Sequence, residues 1–271
     1  MKHKKFTTDE INFLKKNFIQ FGVKKCAEHL NRNSPYVEKK AYSLGLFRKN
    51  SDQWKLDKSP QKVNMIPFLN IKSPEMAYIL GFIWADGHIT KRKNGIVISV
   101  QQKDGKELHD VLLKHIPFNV HVTKRNGQFM FHIHDYTLHQ FLVDNDYSIK
   151  SVSSPSKILS KIPISLRHYF FRGYFDGDGC FSNGKSGSCV SFTGSHNQNW
   201  NDTIQFIQKI IQKTPGLIRR KKDKLGHQSS YVYFYGKEHI KKFLSYLYSG
   251  QSLGLSRKRL KYEEFVNNRL L

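Results

Sequence analysis

Residues 79–87 read ILGFIWADG, and residues 171–179 repeat the pattern as FRGYFDGDG. Each copy is an apolar run that ends on Asp-Gly, with small residues four apart: Gly81 and Ala85 in the first, Gly173 and Gly177 in the second. On a helix, positions four apart share one face, so each copy presents a smooth stripe. Two such stripes let helix backbones cross closely. A close crossing brings Asp86 and Asp178 together at the foot of the pair, where each carboxylate meets the negative end of a helix dipole and a like charge. A site of that kind invites a divalent cation. The domain-sized interval between the copies predicts a tandem duplication.

The residues after each copy follow a common order. After Gly87, the strand-like runs His88–Lys93 and Ile96–Gln102 flank Asn94-Gly95, a strong hairpin signal. Asp104–Ile116 is helical, and Phe118–Arg125 with Gln128–His134 forms a second hairpin turning at Asn126-Gly127. After Gly179, Cys180–Asn183 and Ser188–Thr193 pair, Gln198–Lys213 is a helix, and Leu217–Lys222 pairs with Ser230–Tyr235. Helices follow near Lys237–Tyr248 and Ser256–Asn268. Alternation in the first copy sends Ile96, Ile98, Val100, Phe118, Val120, Val122, Phe129, Phe131 and Ile133 to one face. Val97, Ser99, Gln101, Asn119, His121, Thr123, Arg125, Gln128, Met130, His132 and His134 go to the other.

A four-stranded sheet with one apolar face needs helices behind it and leaves a polar face in front. Two such sheets, related by the paired motif helices, form a saddle. Gln, Asn and Arg on that face can make bidentate contacts with base edges, and Lys can hold phosphates. The candidate DNA contacts are Ser99, Gln101, Asn119, His121, Arg125, Gln128 and His132 from the first sheet. Arg219, Lys221, Tyr231 and Tyr233 come from the second. A solvated strand face has the same pattern.

The motif pair resembles that of the LAGLIDADG homing endonucleases in their single-chain, two-repeat form, from Pro74 to the end of the sequence. The resemblance implies an α+β fold, tandem αββαββα repeats forming a pseudo-two-fold β-saddle. It implies a site-specific endonuclease that cuts both strands of a long asymmetric DNA duplex and leaves short 3′ overhangs. Phosphodiester hydrolysis needs an activated water and neutralised charge, which metals clamped between carboxylates supply. Asp86 and Asp178 are the expected metal ligands for Mg²⁺ or Mn²⁺, with the backbone carbonyls of Ala85 and Gly177 beside them. The family also places a basic residue near each cleaved bond. Lys258, in LGLSRKRLKYEEF, takes that position in the second repeat, and Lys157, in SPSKILSKIP, in the first, with Lys150 or Lys161 as substitutes. One departure stands out: Trp84 occupies the position of Asp176, the first and non-catalytic acid of the second motif.

Ahead of the repeats, Thr7–Glu10 forms a capping box that opens a helix carrying Ile11, Leu14 and Phe18. A short helix over Val23–Leu30 follows. Ser34 then caps a third helix, with Pro35 at its first position and Gly45 at its close. The stretch resembles Myb-like or resolvase-like helix-turn-helix modules. Its third helix exposes Tyr36, Lys39, Lys40 and Ser43 toward a major groove and buries Val37, Ala41 and Leu44. A trihelical protein-interaction domain would share this pattern. The expected domains are a helix-turn-helix unit at 1–47, a basic linker at 48–70, a first repeat at 71–155 and a second at 156–271.

Composition narrows the partner. The 271 residues carry 45 Lys and Arg against 21 Asp and Glu, a net +24 spread along the chain. Such a field favours a polyanion, and strands interleaved with aromatics favour nucleic acid over a membrane surface. Cys26, Cys180 and Cys189 are scattered and odd in number, so neither a disulfide framework nor a four-ligand zinc site follows. They fit a reducing compartment: the cytoplasm of a bacterial or phage-infected cell, with an organelle left open. No apolar run reaches spanning length and no signal peptide is expected, so the expectation is a DNA-bound monomer without a membrane. His132 and His134, two apart on one face, have no third ligand at matching spacing. The alternative from another class is a non-cleaving nucleic-acid binder, such as an intron maturase or a transcription regulator.

Overall fold

The computed structural model describes residues 5–46, 70–90, 95–115, 121–184, 187–222, 226, 228–250 and 253–267. The chain divides into two compact units, Met1–Lys62 and Val63–Leu271. Apart from Asn70, the linker read at 48–70 lies outside the described residues, as do Asn94, Phe118, Asn119 and Val120.

In the first unit, helix α1 (Thr8–His29) opens on the expected capping box. Glu10 N donates to Thr7 Oγ1 at 3.3 Å and Thr7 N donates to Glu10 Oε2 at 2.7 Å. The helix breaks at Gly22, whose φ of 75° is the left-handed region that favours glycine, so the chain runs as two helical segments. Helix α2 (Ser34–Ser43) differs from the expectation at its start. Asn33, not Ser34, is the N-cap, and it engages through its carbonyl, which accepts from Tyr36 N and Val37 N. Gly45, at φ 74°, follows its end. Leu14, Phe18, Cys26, Ala27, Val37 and Ala41 form the core. Arg32 ties the segments together: its Nε donates to Glu10 Oε1 at 2.7 Å and its guanidinium lies 4.2 Å from the Phe6 ring centroid. That guanidinium holds the Glu10 carboxyl down at about 2.

The second unit contains the duplication. Helix α3 (Pro74–Asp86) is capped by Ser73, whose hydroxyl accepts from Met76 N, and carries Pro74 in its first turn. It runs into β1 (Gly87–Thr90) and β2 (Gly95–Gln101), then α4 (Gln102–His115), β3 (His121–Arg125), β4 (Gln128–His134) and α5 (Tyr136–Asp144). A 3₁₀ turn (Tyr147–Ile149), helix α6 (Ser156–Lys161) and a second 3₁₀ turn (Ile164–Leu166) lead to α7 (Arg167–Asp178). The order then recurs as β5 (Gly179–Gly184), β6 (Gly187–Ser195), α8 (Asn201–Ile211), β7 (Gly216–Arg220), β8 (Ser229–Tyr235) and α9 (Lys237–Leu247), with α10 (Ser256–Asn267) last. The sheets have matching antiparallel orders, β1-β2-β4-β3 and β5-β6-β8-β7. This is the α+β duplication read from the sequence.

The turn between β3 and β4 places Asn126 and Gly127 at φ 51° and 74°, both positive as a type I′ hairpin requires. Burial follows the predicted alternation: Ile96, Ile98, Val100, Phe131 and Ile133 are buried, and Val122 and Phe129 pack against the same core. That core is continuous across both repeats and includes Phe82, Phe170, Phe192 and Phe243. Among the described residues, no helix is long and apolar enough to cross a membrane.

Candidate active site at the crossing of the paired helices

Helices α3 and α7 cross at their glycines. A Cβ added at Gly81 would stand 2.7 Å from Phe170 C and would overlap Phe170 O. One added at Gly173 would stand 2.8 Å from Phe82 N and would overlap Tyr78 O. At Gly177 the added carbon would meet the Ala85 Cβ, with Asp86 Oδ2 3.0 Å away. Backbone therefore faces backbone along the stripe, and the two terminal aspartates arrive at one end of it. Asp86 and Asp178 each close their helix. Neither carboxylate accepts a hydrogen bond among the described residues.

Two lysines hold the helix ends. Lys150 Nζ donates to Trp84 O and Ala85 O at 2.6 Å and to Ile83 O at 3.3 Å. Lys258 Nζ donates to Phe175 O at 2.5 Å and Gly179 O at 2.6 Å. Ile83 O and Phe175 O also accept from the backbone N–H of Gly87 and Gly179, and each lysine places a positive charge at the negative end of a helix dipole. Of the lysines named for the first repeat, Lys150 reaches this foot. Lys157 does not: its ammonium is exposed and bound to Asp146 Oδ1 at 2.7 Å, on α6, and Lys161 is exposed.

Burial sets the electrostatics. It pushes the Asp86 carboxyl up to about 6, against the pull of Lys150 and Lys258. Asp178 rises to about 7, through burial and then the charge of Asp86. Burial pulls both lysines down to about 8, with nearby carboxylates opposing the fall. Two poorly compensated carboxylates beside each other form a donor set that gains from a dication. Residues 85 and 177 sit at the crossing, although the Ala85 carbonyl is already engaged by Lys150. Among the described residues there is no group of three or more His, Cys, Asp or Glu side chains placed to hold a metal. Two carboxylates leave the other coordination positions to backbone, water or a substrate's oxygens. A cleft of about 410 Å³ opens beside Asp178, walled by Trp84, Lys150, Thr193, Gly194 and Gln198.

The exchange of Trp84 for an acid has a packing explanation. Asp176 is buried and accepts from Tyr78 Oη at 2.9 Å, Leu255 N at 2.8 Å and Tyr248 Oη at 3.1 Å. It joins α7 to α3 and to the chain before α10. Trp84 packs edge-on against Tyr147 at 5.0 Å, and Tyr147 Oη donates to Leu80 O at 2.8 Å. An aromatic pair in the first repeat takes the place of a hydrogen-bonded carboxylate in the second.

The front of the first sheet forms cross-strand rows. His121 faces His132, which faces Val97; Thr123 faces Met130, which faces Ser99; Arg125 faces Gln128, which faces Gln101. Thr123 Oγ1 and His132 Nε2 share a hydrogen bond at 2.9 Å, and burial lowers the His132 imidazole below the usual histidine range. In the second sheet, register corrects one assignment. Arg219 pairs with buried Ser230, so it lies on the row opposite Tyr231 and Tyr233, and its guanidinium donates to His196 O and Gln198 O. Arg220 pairs with Ser229 on the front and lies 4.6 Å from the Tyr231 ring centroid. Lys221 is exposed just beyond the end of β7. The sequence reading missed Arg220 because adjacent arginines differ only in parity, and only pairing partners fix parity. In the first unit, Lys39 is exposed and Lys40 half-buried. Tyr36 is half-buried, its ring 5.1 Å from that of Phe6.

The architecture is a duplicated α+β fold whose two acids meet at a helix crossing. Residues 165–248 match the family model of the LAGLIDADG-like domain, so the second repeat carries a LAGLIDADG-like domain. Solved structures similar to the chain include the I-SmaMI LAGLIDADG homing endonuclease bound to cleaved DNA, at 14% identity and TM-score 0.46, over 72% of this chain and 88% of that one. The LAGLIDADG homing endonuclease I-GzeII in complex with a DNA target is 13% identical, at TM-score 0.43, over 71% and 87%. The N-terminal LAGLIDADG domain of DUF199/WhiA is 16% identical, at TM-score 0.45, over 69% and 88%. No curated protein matches the sequence.

Proposed function

We propose that the protein is a site-specific double-strand DNA endonuclease, dependent on a divalent metal and acting as a monomer on a long asymmetric target. The observation that carries this reading is the Asp86–Asp178 pair, half-buried, like-charged and without hydrogen-bond donors, at a foot where each helix end also holds a lysine. A binder of phosphates has no use for two carboxylates there, since they repel the ligand. When bound, Mg²⁺ or Mn²⁺ supplies charge neutralisation at the reacting phosphate and an activated water. Asp86 and Asp178 are the residues that hold it. Lys258 spends two of its three N–H groups on Phe175 O and Gly179 O, leaving one to face a phosphate oxygen. Lys150, with three carbonyl partners, acts as fixed positive charge. The rows through Gln101, Arg125 and Gln128, with Arg220, Tyr231 and Tyr233, supply groove and backbone contacts. The net charge of +24 supplies salt-dependent attraction. In the first unit, α2 enters a major groove beside the principal target, with Lys39 and Lys40 on phosphates.

The test is selection of cleaved sites from a random duplex library in Mg²⁺, followed by the selected site on a plasmid with wild type, Asp86→Asn and Asp178→Asn. Wild type should linearise it and each variant should lose cleavage while keeping affinity in Ca²⁺. If wild type binds a selected site but cuts under no divalent cation, the protein is a non-cleaving binder and the proposal is wrong.

A further inference from the structure

The two lysines at the helix feet are held by different parts of the chain. Lys150 follows the 3₁₀ turn Tyr147–Ile149, and its anchor, Tyr147 Oη on Leu80 O, lies within the first repeat. Lys258 sits in the first turn of α10, in the second repeat, yet the residues before it are gripped by α4 of the first. Arg257 Nε donates to Asp104 Oδ1 at 2.6 Å and Nη2 to Oδ2 at 2.8 Å, a two-pronged ion pair with a buried carboxylate. Ser256 N donates to Glu107 Oε2 at 2.8 Å, so a side chain one turn further along α4 caps the start of α10. The chain from 256 to 258 thus has its first two residues fixed by the first repeat and its third fixed to the carbonyls of α7.

The cleft that holds Lys150 also holds Asp178.

We propose that Asp104 and Glu107 are positioning residues for Lys258, acting through Arg257 and the first turn of α10, so that the first repeat governs one of the two strand cuts. This rests on the endonuclease reading. It requires that loss of the α4 grip loosens α10 locally and slows one cut, leaving the other cut and DNA affinity in place.

The experiment uses the full chain with Asp104→Asn and, separately, Glu107→Gln. In the metal-free protein, amide hydrogen exchange is followed for peptides covering 253–262 and, as reference, 74–86. Exchange in 253–262 should rise roughly tenfold in each variant, as expected when a local opening is favoured by loss of a charge-assisted contact, with 74–86 unchanged. On a plasmid bearing the selected site, nicked circles should accumulate, the second cut falling about tenfold relative to the first, since one well-placed charge is worth that much or more. Affinity in Ca²⁺ should stay at the wild-type value. The charge-reversed pair Asp104→Arg with Arg257→Asp should restore balanced cutting. Exchange at the wild-type rate, equal slowing of both strands, or no slowing overturns the proposal. If Asp104→Asn does not fold, Glu107→Gln is read by the same criteria. If wild type itself never cuts, the endonuclease reading falls and the exchange result alone decides whether α4 positions Lys258.

Discussion

Replacing Gly173 with alanine tests the helix crossing on which the site depends. In an isolated helix the change is favourable by about 1 kcal/mol, because glycine has more backbone freedom to lose. Here the added Cβ would stand 2.8 Å from Phe82 N and 3.0 Å from Tyr78 C, and closer still to the Tyr78 oxygen. These are backbone atoms of α3 and cannot swing aside as a side-chain end does. The helices must separate by roughly an ångström, which costs on the order of 1–3 kcal/mol in a packed core, with more for larger displacements. The overlap with the Tyr78 oxygen puts the cost in the upper part of that range, about 2–3 kcal/mol, so a net destabilisation of roughly 1–2 kcal/mol remains after the propensity gain. For a unit of this size that is a fall in Tm of about 2–8 °C. Gly81→Ala, against Phe170, should behave alike, and Gly184→Ala, with nothing within 4 Å, should not. Calorimetric melting of the full chain at fixed pH is the assay. A Gly173→Ala protein that melts at or above wild type refutes the close-crossing argument.

The carboxylate pair predicts an inverted pH dependence. Both folded values lie above the unfolded aspartate value, so the folded state binds more protons between about pH 4 and about pH 7, and metal-free stability falls as pH rises through that window. Asp178→Asn should therefore gain on wild type by roughly 1–3 kcal/mol in urea melts at about pH 7.5 and little at about pH 4; a variant that loses ground as pH rises contradicts the burial of the pair. Lys150→Met should cut cleavage by about a hundredfold or more, the scale of one lost electrostatic group at a reacting centre. Lys157→Met, which breaks only a surface ion pair, should stay within about twofold of wild type. Equal losses in a plasmid assay would contradict the placement of Lys150. Arg220→Ala should weaken binding to every duplex and lower the salt slope by about one. Arg219→Ala should leave that slope unchanged and lower thermal stability instead, and a slope change at Arg219 would contradict the register of β7.

Much of the candidate site was legible before folding because it is periodic. The repeat of small-residue stripes ending in Asp-Gly located both helices and both terminal acids, since a spacing of four has one meaning on a helix. Alternation in β2 and β4 sorted the sheet faces, since a strand has a period of two. The Asn126-Gly127 pair marked its turn because few residues accept positive φ in succession. What tertiary structure alone decided is long-range and has no local signature. Lys150, Lys157 and Lys161 lie between α5 and α7, and local pattern does not say which reaches a helix end; Lys150 does because a 3₁₀ turn aims it at the terminal carbonyls of α3. Parity in β7 depended on which residue of β8 stood opposite, which moved the front-facing arginine from 219 to 220. The role of Asp176 emerged only when Tyr78, Tyr248 and Leu255 N converged on it from three distant segments. The grip of Asp104 on Arg257 joins residues far apart in the chain, and no periodicity relates them. Periodic patterning determines which faces are buried, whereas the partners of single charged groups are set by where the packed elements bring them.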